Sequence, residues 1–354
     1  MTPRLRVEAL IIAARRTFGP RRDPSLVRAL AAESGLHEAN VTWALDHALE
    51  LSPTEEELET FVRRAPHRTA VLVVLAANVL VAPLRAIAWA LAQSDRVFVR
   101  PSRRARLFTR ALASAVPALG LDVLELSDDP GSDVARAIAA LPDGAAVHAY
   151  GGRATIDAIA AAAAAQPREI ATELHGPGFG AIVDSAEAIV AHAPAIAADV
   201  VAFDQAGCLS PRIVIVIESR AAAGGDAHRA AEALHAALSR AGQSIPRRTL
   251  DPGESAALAR ARDAAIFAGR AHEGSEHLVV ELQAPTLLPV GRALAVVGVS
   301  SVVEAIAALS ALGPDLAAVG TSLSLPLPGV RMAALGRMQT PRLDGPVDLR
   351  VLGR

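Results

Sequence analysis

The chain of 354 residues contains a single cysteine, Cys208, in the stretch Phe203-Asp204-Gln205-Ala206-Gly207-Cys208-Leu209-Ser210-Pro211-Arg212, directly before the β-branched run Ile213-Val214-Ile215-Val216-Ile217. A thiolate is the side chain best able to attack an acyl carbonyl or thioester near neutral pH, and small neighbours leave room for a substrate carbon to approach it. A lone intracellular cysteine is otherwise a small buried hydrophobe. The loop ahead of a strand favours the catalytic thiol. With one cysteine there is no internal disulfide. His148, His192, His228, His235, His272 and His277 show no spacing with carboxylates that compels a metal site, so none is expected.

Regular elements must hold such a loop. Residues 1–66 mix short helical patterns with the breakers Gly19-Pro20 and Ser52-Pro53, and Ser52-Pro53-Thr54-Glu55 reads as a helix start. This predicts a helical leader. From His67 onward strands and helices alternate: strands over 69–76, 96–99, 121–126 and 145–150, and helices over 85–92, 103–119, 134–140 and 155–165. That interval predicts a doubly wound parallel sheet over 67–173, which binds ligands beyond the carboxyl ends of its strands. A second α/β domain over 174–325 carries Cys208. Its strands are expected at 182–183, 212–217, 278–281 and 293–297, its helices at 226–241, 255–262 and 302–311, and a surface connection at 221–225; residues 326–354 form a tail.

Composition narrows the partners. The chain is 52% hydrophobic with a formal charge of −2, which gives no basic signal for nucleic acid. The longest apolar stretch, Val71 to Leu84, contains Asn78 and Pro83 and falls short of a membrane span, and the charged start Arg4, Arg6, Glu8 leaves no room for a signal-peptide apolar run. A cytoplasmic protein is expected. There is no lysine, so any cationic anion-binding role falls to arginine.

Six short segments line up with the cysteine: Asn78-Val79-Leu80-Val81-Ala82-Pro83-Leu84, Arg100-Pro101-Ser102, Gly151-Gly152, Glu173-Leu174-His175-Gly176, Gln205-Ala206-Gly207-Cys208 and Glu281-Leu282-Gln283-Ala284-Pro285. In this order, with 22 residues from Asn78 to Arg100 and 35 from Glu173 to Cys208, the chain resembles the aldehyde dehydrogenase superfamily over about residues 70–325. The stretch through Cys208-Leu209-Ser210-Pro211-Arg212 and the tail Gly336-Arg337-Met338-Gln339-Thr340-Pro341 resemble its acyl-CoA reductase branch. The resemblance implies an aldehyde dehydrogenase-like α/β fold: a Rossmann-type NAD(P)-binding domain at 67–173 and a catalytic domain at 174–325.

It also implies an activity and a site: NADPH-dependent reduction of an acyl-CoA or other acyl thioester to an aldehyde through an acyl group on Cys208. Asn78 and the Cys208 backbone N–H would donate to the oxyanion. Glu173 matches the family's general base, which activates water for hydrolysis or carries a proton. Arg100 and Ser102 stand where the family's Lys-Pro-Ser contacts the adenosine ribose, and Gly151-Gly152 forms a strand-to-helix phosphate turn. Arg103 replaces the family's ribose-binding glutamate; with Arg104 and Arg106 it favours a 2′-phosphate, hence NADPH over NADH. Glu281 matches the nicotinamide-ribose ligand. His175 replaces a glycine of the Glu-Leu-Gly-Gly element, as a structural residue or a contact to CoA phosphate. Alternatives within the superfamily are hydrolytic aldehyde oxidation and a noncatalytic binding or assembly partner. A homo-oligomer stays open, no segment standing out as the family's dimer-building β-hairpin arm.

Overall fold

The computed structural model describes residues 1–76, 78–125, 130–219, 225–268 and 270–353. Two compact units are distinguished, Met1–Pro177 together with Arg342–Arg354, and Gly178–Pro341.

The first unit begins with helices α1 (Pro3–Phe18), α2 (Pro24–Ser34), α3 (Glu38–Trp43) and α4 (Glu55–Arg64). The helix start expected at Ser52-Pro53-Thr54-Glu55 is a capping box. Thr54 Oγ1 accepts the Glu57 N–H at 3.2 Å, and the Glu57 carboxylate accepts the Thr54 N–H at 2.7 Å, satisfying donors that a helix start leaves open. There follow β1 (Val71–Val74), α5 (Ala82–Gln93), β2 (Val97–Arg100), α6 (Arg106–Ser114), β3 (Asp122–Val123), α7 (Pro130–Ala139), β4 (Ala145–Tyr150), α8 (Arg153–Ala164) and β5 (Ile170–His175). The leader packs onto these helices: Phe18 stacks on Phe108 of α6 at 4.2 Å, and Phe61 meets Trp89 of α5 edge-on at 5.1 Å. The strands form one parallel sheet in the order β3-β2-β1-β4-β5. Central β1 is wholly buried, Leu72 and Val74 packing with Val134, Ile138, Ile156 and Ile159 of α7 and α8, which is why it reads as an unbroken apolar run.

Three local expectations change. The helix anticipated over 103–119 starts at Arg106 and stops at Ser114, because Pro117 has no N–H to continue it and opens a short 3-10 turn instead. The strand anticipated over 121–126 contracts to β3, Leu126 lying outside the described residues. Strand β5 is additional: it is a half-buried edge strand that pairs on one side with β4, so its sequence lacks the apolar run of a central strand.

The second unit contains β6 (Phe179–Ser185), α9 (Ala186–Val201), β7 (Pro211–Ile217), α10 (Gly225–Ser244), α11 (Pro252–Ala268), β8 (Arg270–Glu273), β9 (Leu278–Glu281), β10 (Ala293–Val299), α12 (Val302–Ala311), β11 (Leu316–Gly320) and β12 (Arg331–Ala333). Its sheet has the order β12-β11-β6-β7-β10-β9-β8, parallel except for the antiparallel β8–β9 hairpin at one edge. Val183, Ile213, Ile215, Val280, Val297 and Val319 share one core, which places the run after Cys208 at the centre of the sheet. Strands β8, β11 and β12 are additional to those expected. The surface connection expected over 221–225 lies outside the described residues as far as Gly224. Helix α9 with the turn after it is long and apolar enough to cross a membrane, but 56% of that stretch is buried within the protein.

Candidate active site

Three consecutive residues ahead of the cysteine, Phe203, Asp204 and Gln205, hold φ angles of 52°, 51° and 66°. Non-glycine residues in this left-handed region cost about 1–3 kcal/mol each and persist only where surrounding contacts over-determine them. Here they do. Asp204, fully buried, accepts from Arg292 Nε at 3.0 Å and Nη2 at 2.6 Å, and from the Arg248 N–H at 3.1 Å. Gln205 donates to the carbonyls of Pro211 and Ala293 at 2.8 and 2.7 Å and accepts the N–H groups of Gly291 and Ala293 at 3.3 and 3.0 Å, so its amide is bonded on every side. Arg292 itself sits at φ 67°.

Beyond that run, the Ser210 N–H donates to the Gly207 carbonyl at 3.0 Å, closing a turn with Cys208 and Leu209 at its centre. The Gly180 N–H holds the Ser210 carbonyl at 2.8 Å, and a Cβ on Gly180 would lie 2.4 Å from the Leu209 oxygen, so only glycine admits this approach. The motif near the end of the chain closes the other side. Asp199 of α9 accepts the N–H groups of Met338 and Gln339 at 3.0 and 3.1 Å, and Gln339 Nε2 reaches Ser210 Oγ at 3.2 Å. Cys208 is partly exposed on this fixed turn and carries no disulfide. Gln205 lies in the motif that marks the cysteine, but the positioning part played by Arg292 leaves no mark in residue spacing.

In the first unit the strand order reverses at β1, which has β2 on one side and β4 on the other, so the carboxyl ends of these strands form a topological switch point. Asn78 lies in a bend after β1 and is exposed. Arg100 ends β2; its Nε and the Ser102 hydroxyl are buried without hydrogen-bond partners among the described residues. Arg103 and Arg104 are exposed in the turn before α6 rather than on a helix face, and no described acidic group pairs with them. Gly151 follows β4, its N–H donating to the His175 carbonyl at 3.1 Å, and Gly152 caps α8 with open space where a side chain would be.

Glu173 lies opposite His148 in the β4–β5 register. It accepts from Trp89 Nε1 at 2.7 Å and Gln93 Nε2 at 3.1 Å, both on α5, and lies 3.4 Å from His148 Nε2. Burial pushes this carboxyl upward, but His148, Trp89 and Gln93 together outweigh it and hold the group at about 2. His175 is buried, stacked on Tyr150 at 4.2 Å, and neither ring nitrogen has a partner among the described residues; burial lowers it to about 4. Glu281 ends β9 in the second unit, its Oε1 lying 2.8 Å from both His228 Nδ1 and His272 Nε2. Thus Asn78, Arg100, Ser102, Arg103, Gly151, Gly152 and Glu173 belong to the first unit, and Cys208 and Glu281 to the second.

This architecture is that of the aldehyde dehydrogenases, as the sequence led one to expect. An NAD-dependent benzaldehyde dehydrogenase from Corynebacterium glutamicum is similar with a TM-score of 0.69 at 17% identity, over 96% of this chain and 83% of that one. A succinic semialdehyde dehydrogenase from Streptococcus pyogenes, in complex with NADP+, gives 0.65 at 14% identity over 94% and 82%. An NAD-dependent aldehyde dehydrogenase from Sinorhizobium meliloti gives 0.64 at 15% identity over 100% and 73%. No curated protein matches the sequence. A model of the acyl-CoA reductase (LuxC) family matches residues 37–338, and the chain belongs to that family. It is therefore an oxidoreductase acting on acyl-CoA or aldehyde.

Proposed function

We propose that the protein reduces an acyl-CoA, or another acyl thioester, to the aldehyde with NADPH, through an acyl group carried on Cys208. The observation that carries this reading is the lone thiol on a turn fixed by the left-handed run, Gly180 and Gln339. A nucleophile held in place before its substrate arrives loses little freedom in the attack. Cys208 Sγ adds to the thioester carbonyl, the CoA thiolate leaves, and a thioester remains on Cys208. Bound NADPH supplies the hydride. The thiohemiacetal on Cys208 then collapses to aldehyde and thiol, so one acyl-CoA, one NADPH and one proton give aldehyde, CoA and NADP+. Asn78 and the Cys208 N–H are proposed as donors to the oxyanion, each worth about 2.7–4 kcal/mol of barrier.

The first unit fits the cofactor on its own geometry. Two buried polar atoms without partners among the described residues, Arg100 Nε and Ser102 Oγ, stand at the end of β2, where a doubly wound sheet receives a nucleotide ribose. Gly152 leaves open space for phosphate at the start of α8. The choice of NADPH over NADH is proposed on the exposed Arg103 and Arg104, which have no acidic partner among the described residues. Glu173 favours reduction over hydrolysis: a carboxylate held at about 2 by three donors is a weak base toward water. The cytoplasm is proposed as the compartment, since a lone thiol stays reduced there.

Intact-protein mass spectrometry tests the mechanism. Incubated with acyl-CoA and no cofactor, the wild type should gain one acyl group on Cys208, and Cys208→Ala should gain none and show no turnover. An unmodified wild type, with reductase activity surviving in the variant, would overturn it.

A further inference from the structure

We propose that the second unit holds a divalent metal ion of the zinc type on His228, His272 and Glu281. The three come from α10, from β8 and from the end of β9, so the site would tie the edge hairpin of the sheet to the helix packed on it. Their donor atoms, one from each residue, all lie within 4.8 Å of one another, and both imidazoles converge on the same carboxylate oxygen at 2.8 Å. Four-coordinate zinc, with bonds of about 2.0–2.2 Å, separates its ligand atoms by roughly 3.3 Å, so small side-chain adjustments admit the ion. Two imidazoles and a carboxylate without a thiolate are a donor set suited to zinc, with a fourth position left for water.

His228 Nδ1 is hydrogen-bonded to the Glu281 oxygen at 2.8 Å, and Arg270 Nη1 lies 2.9 Å from the same nitrogen. His228 Nε2 faces Glu232 Oε1 at 3.4 Å, a carboxylate placed behind the ring as zinc sites use to orient a ligand imidazole. An ion entering between Nδ1 and the Glu281 oxygen would replace their hydrogen bond with two bonds to the metal. Arg270 is exposed, so its guanidinium can turn out to solvent as the ion enters. The side chains of His228, His272 and Glu281 are 34%, 16% and 18% exposed, which leaves the site reachable from solution. His235 and His277, in contact with each other at 3.0 Å beside His272, provide an internal control.

As a metal ligand, Glu281 is not available to a nicotinamide ribose, so this proposal reassigns one residue and leaves the Cys208 chemistry untouched. The test uses the full chain freed of metal by dialysis against a chelator, with no substrate or cofactor present. Added Zn2+ should bind at one ion per chain by titration calorimetry and elemental analysis and raise the Tm, and Co2+ should show the visible absorption of a four-coordinate ion. Glu281→Gln and His272→Asn, each checked for folding by circular dichroism, should weaken zinc more than about tenfold and abolish the Tm rise. The pair His235→Asn with His277→Asn should bind as the wild type does. No stoichiometric uptake by the wild type, uptake unchanged in Glu281→Gln and His272→Asn, or uptake lost in the His235/His277 pair would each overturn the proposal.

Discussion

The cysteine turn of the second unit and the carboxyl edge of the first unit's sheet treat their buried polar groups in opposite ways. Around Cys208, Asp199, Asp204, Gln205, Ser210, Arg292 and Gln339 bond to one another or to backbone, and Arg212 Nε is the exception. At the sheet edge, Arg100 Nε, Ser102 Oγ and both nitrogens of His175 have no partner among the described residues. An unsatisfied buried group costs about 1–3 kcal/mol, which is recovered when a ligand supplies the missing bond. The difference matches the two tasks proposed above: a nucleophile has to be oriented by the protein before anything binds, whereas a ligand-binding edge keeps valences open for the ligand.

The largest effect expected from this contrast is at the thiol. Cys208→Ala should lower reductase activity more than about a thousandfold while NADPH binding, measured by titration, stays within twofold. A parallel loss of cofactor binding would show that the two regions are not separate in function. Next is the buried ion pair behind the turn. Arg292→Met strands Asp204 among the left-handed residues and should cost about 3–5 kcal/mol in denaturant unfolding, with activity falling as the turn loosens. A change below about 1 kcal/mol would mean that other contacts hold the turn.

The sheet edge should report through acid. His175 is held below its ordinary value, at about 4, chiefly by burial, so the fold binds fewer protons than the unfolded chain between pH 6.5 and 4. Its contribution, on the order of 3 kcal/mol, is complete above pH 6.5 and lost as pH falls through 4. Glu173, held at about 2 against an ordinary 4.5, adds a similar loss between pH 4.5 and 2. Tm against pH should therefore fall in two steps, with His175→Gln removing the upper and Glu173→Gln the lower. A wild-type curve flat between pH 6.5 and 4 would refute the first assignment. The smallest effect is at the exposed arginines: Arg103→Glu should shift the NADPH-to-NADH preference about tenfold, or about 1.4 kcal/mol, and the wild-type preference should shrink as salt screens the contact. Equal wild-type affinities for both nucleotides would leave Arg103 a merely solvated charge.

What the sequence determined by itself was whatever neighbouring residues decide among themselves. The alternation of β-branched runs with helical stretches identified the doubly wound sheet, Thr54 and Glu57 sealed a helix start, and the order of short motifs around Cys208 pointed to the family. Edge strands such as β5 and β8 escaped, because half-exposed pairing leaves no apolar run to read. The tertiary structure alone decided the rest. Asp204 meets Arg292 across 88 residues, the Arg85 guanidinium binds the carbonyls of Arg342 and Gly345 to bring residues 342–354 back into the first unit, and His228 converges with Glu281 from 53 residues away. Such partners are chosen by where the packed sheets and helices place each side chain. Local patterning records the periodicity of an element and carries no trace of what lies across from it.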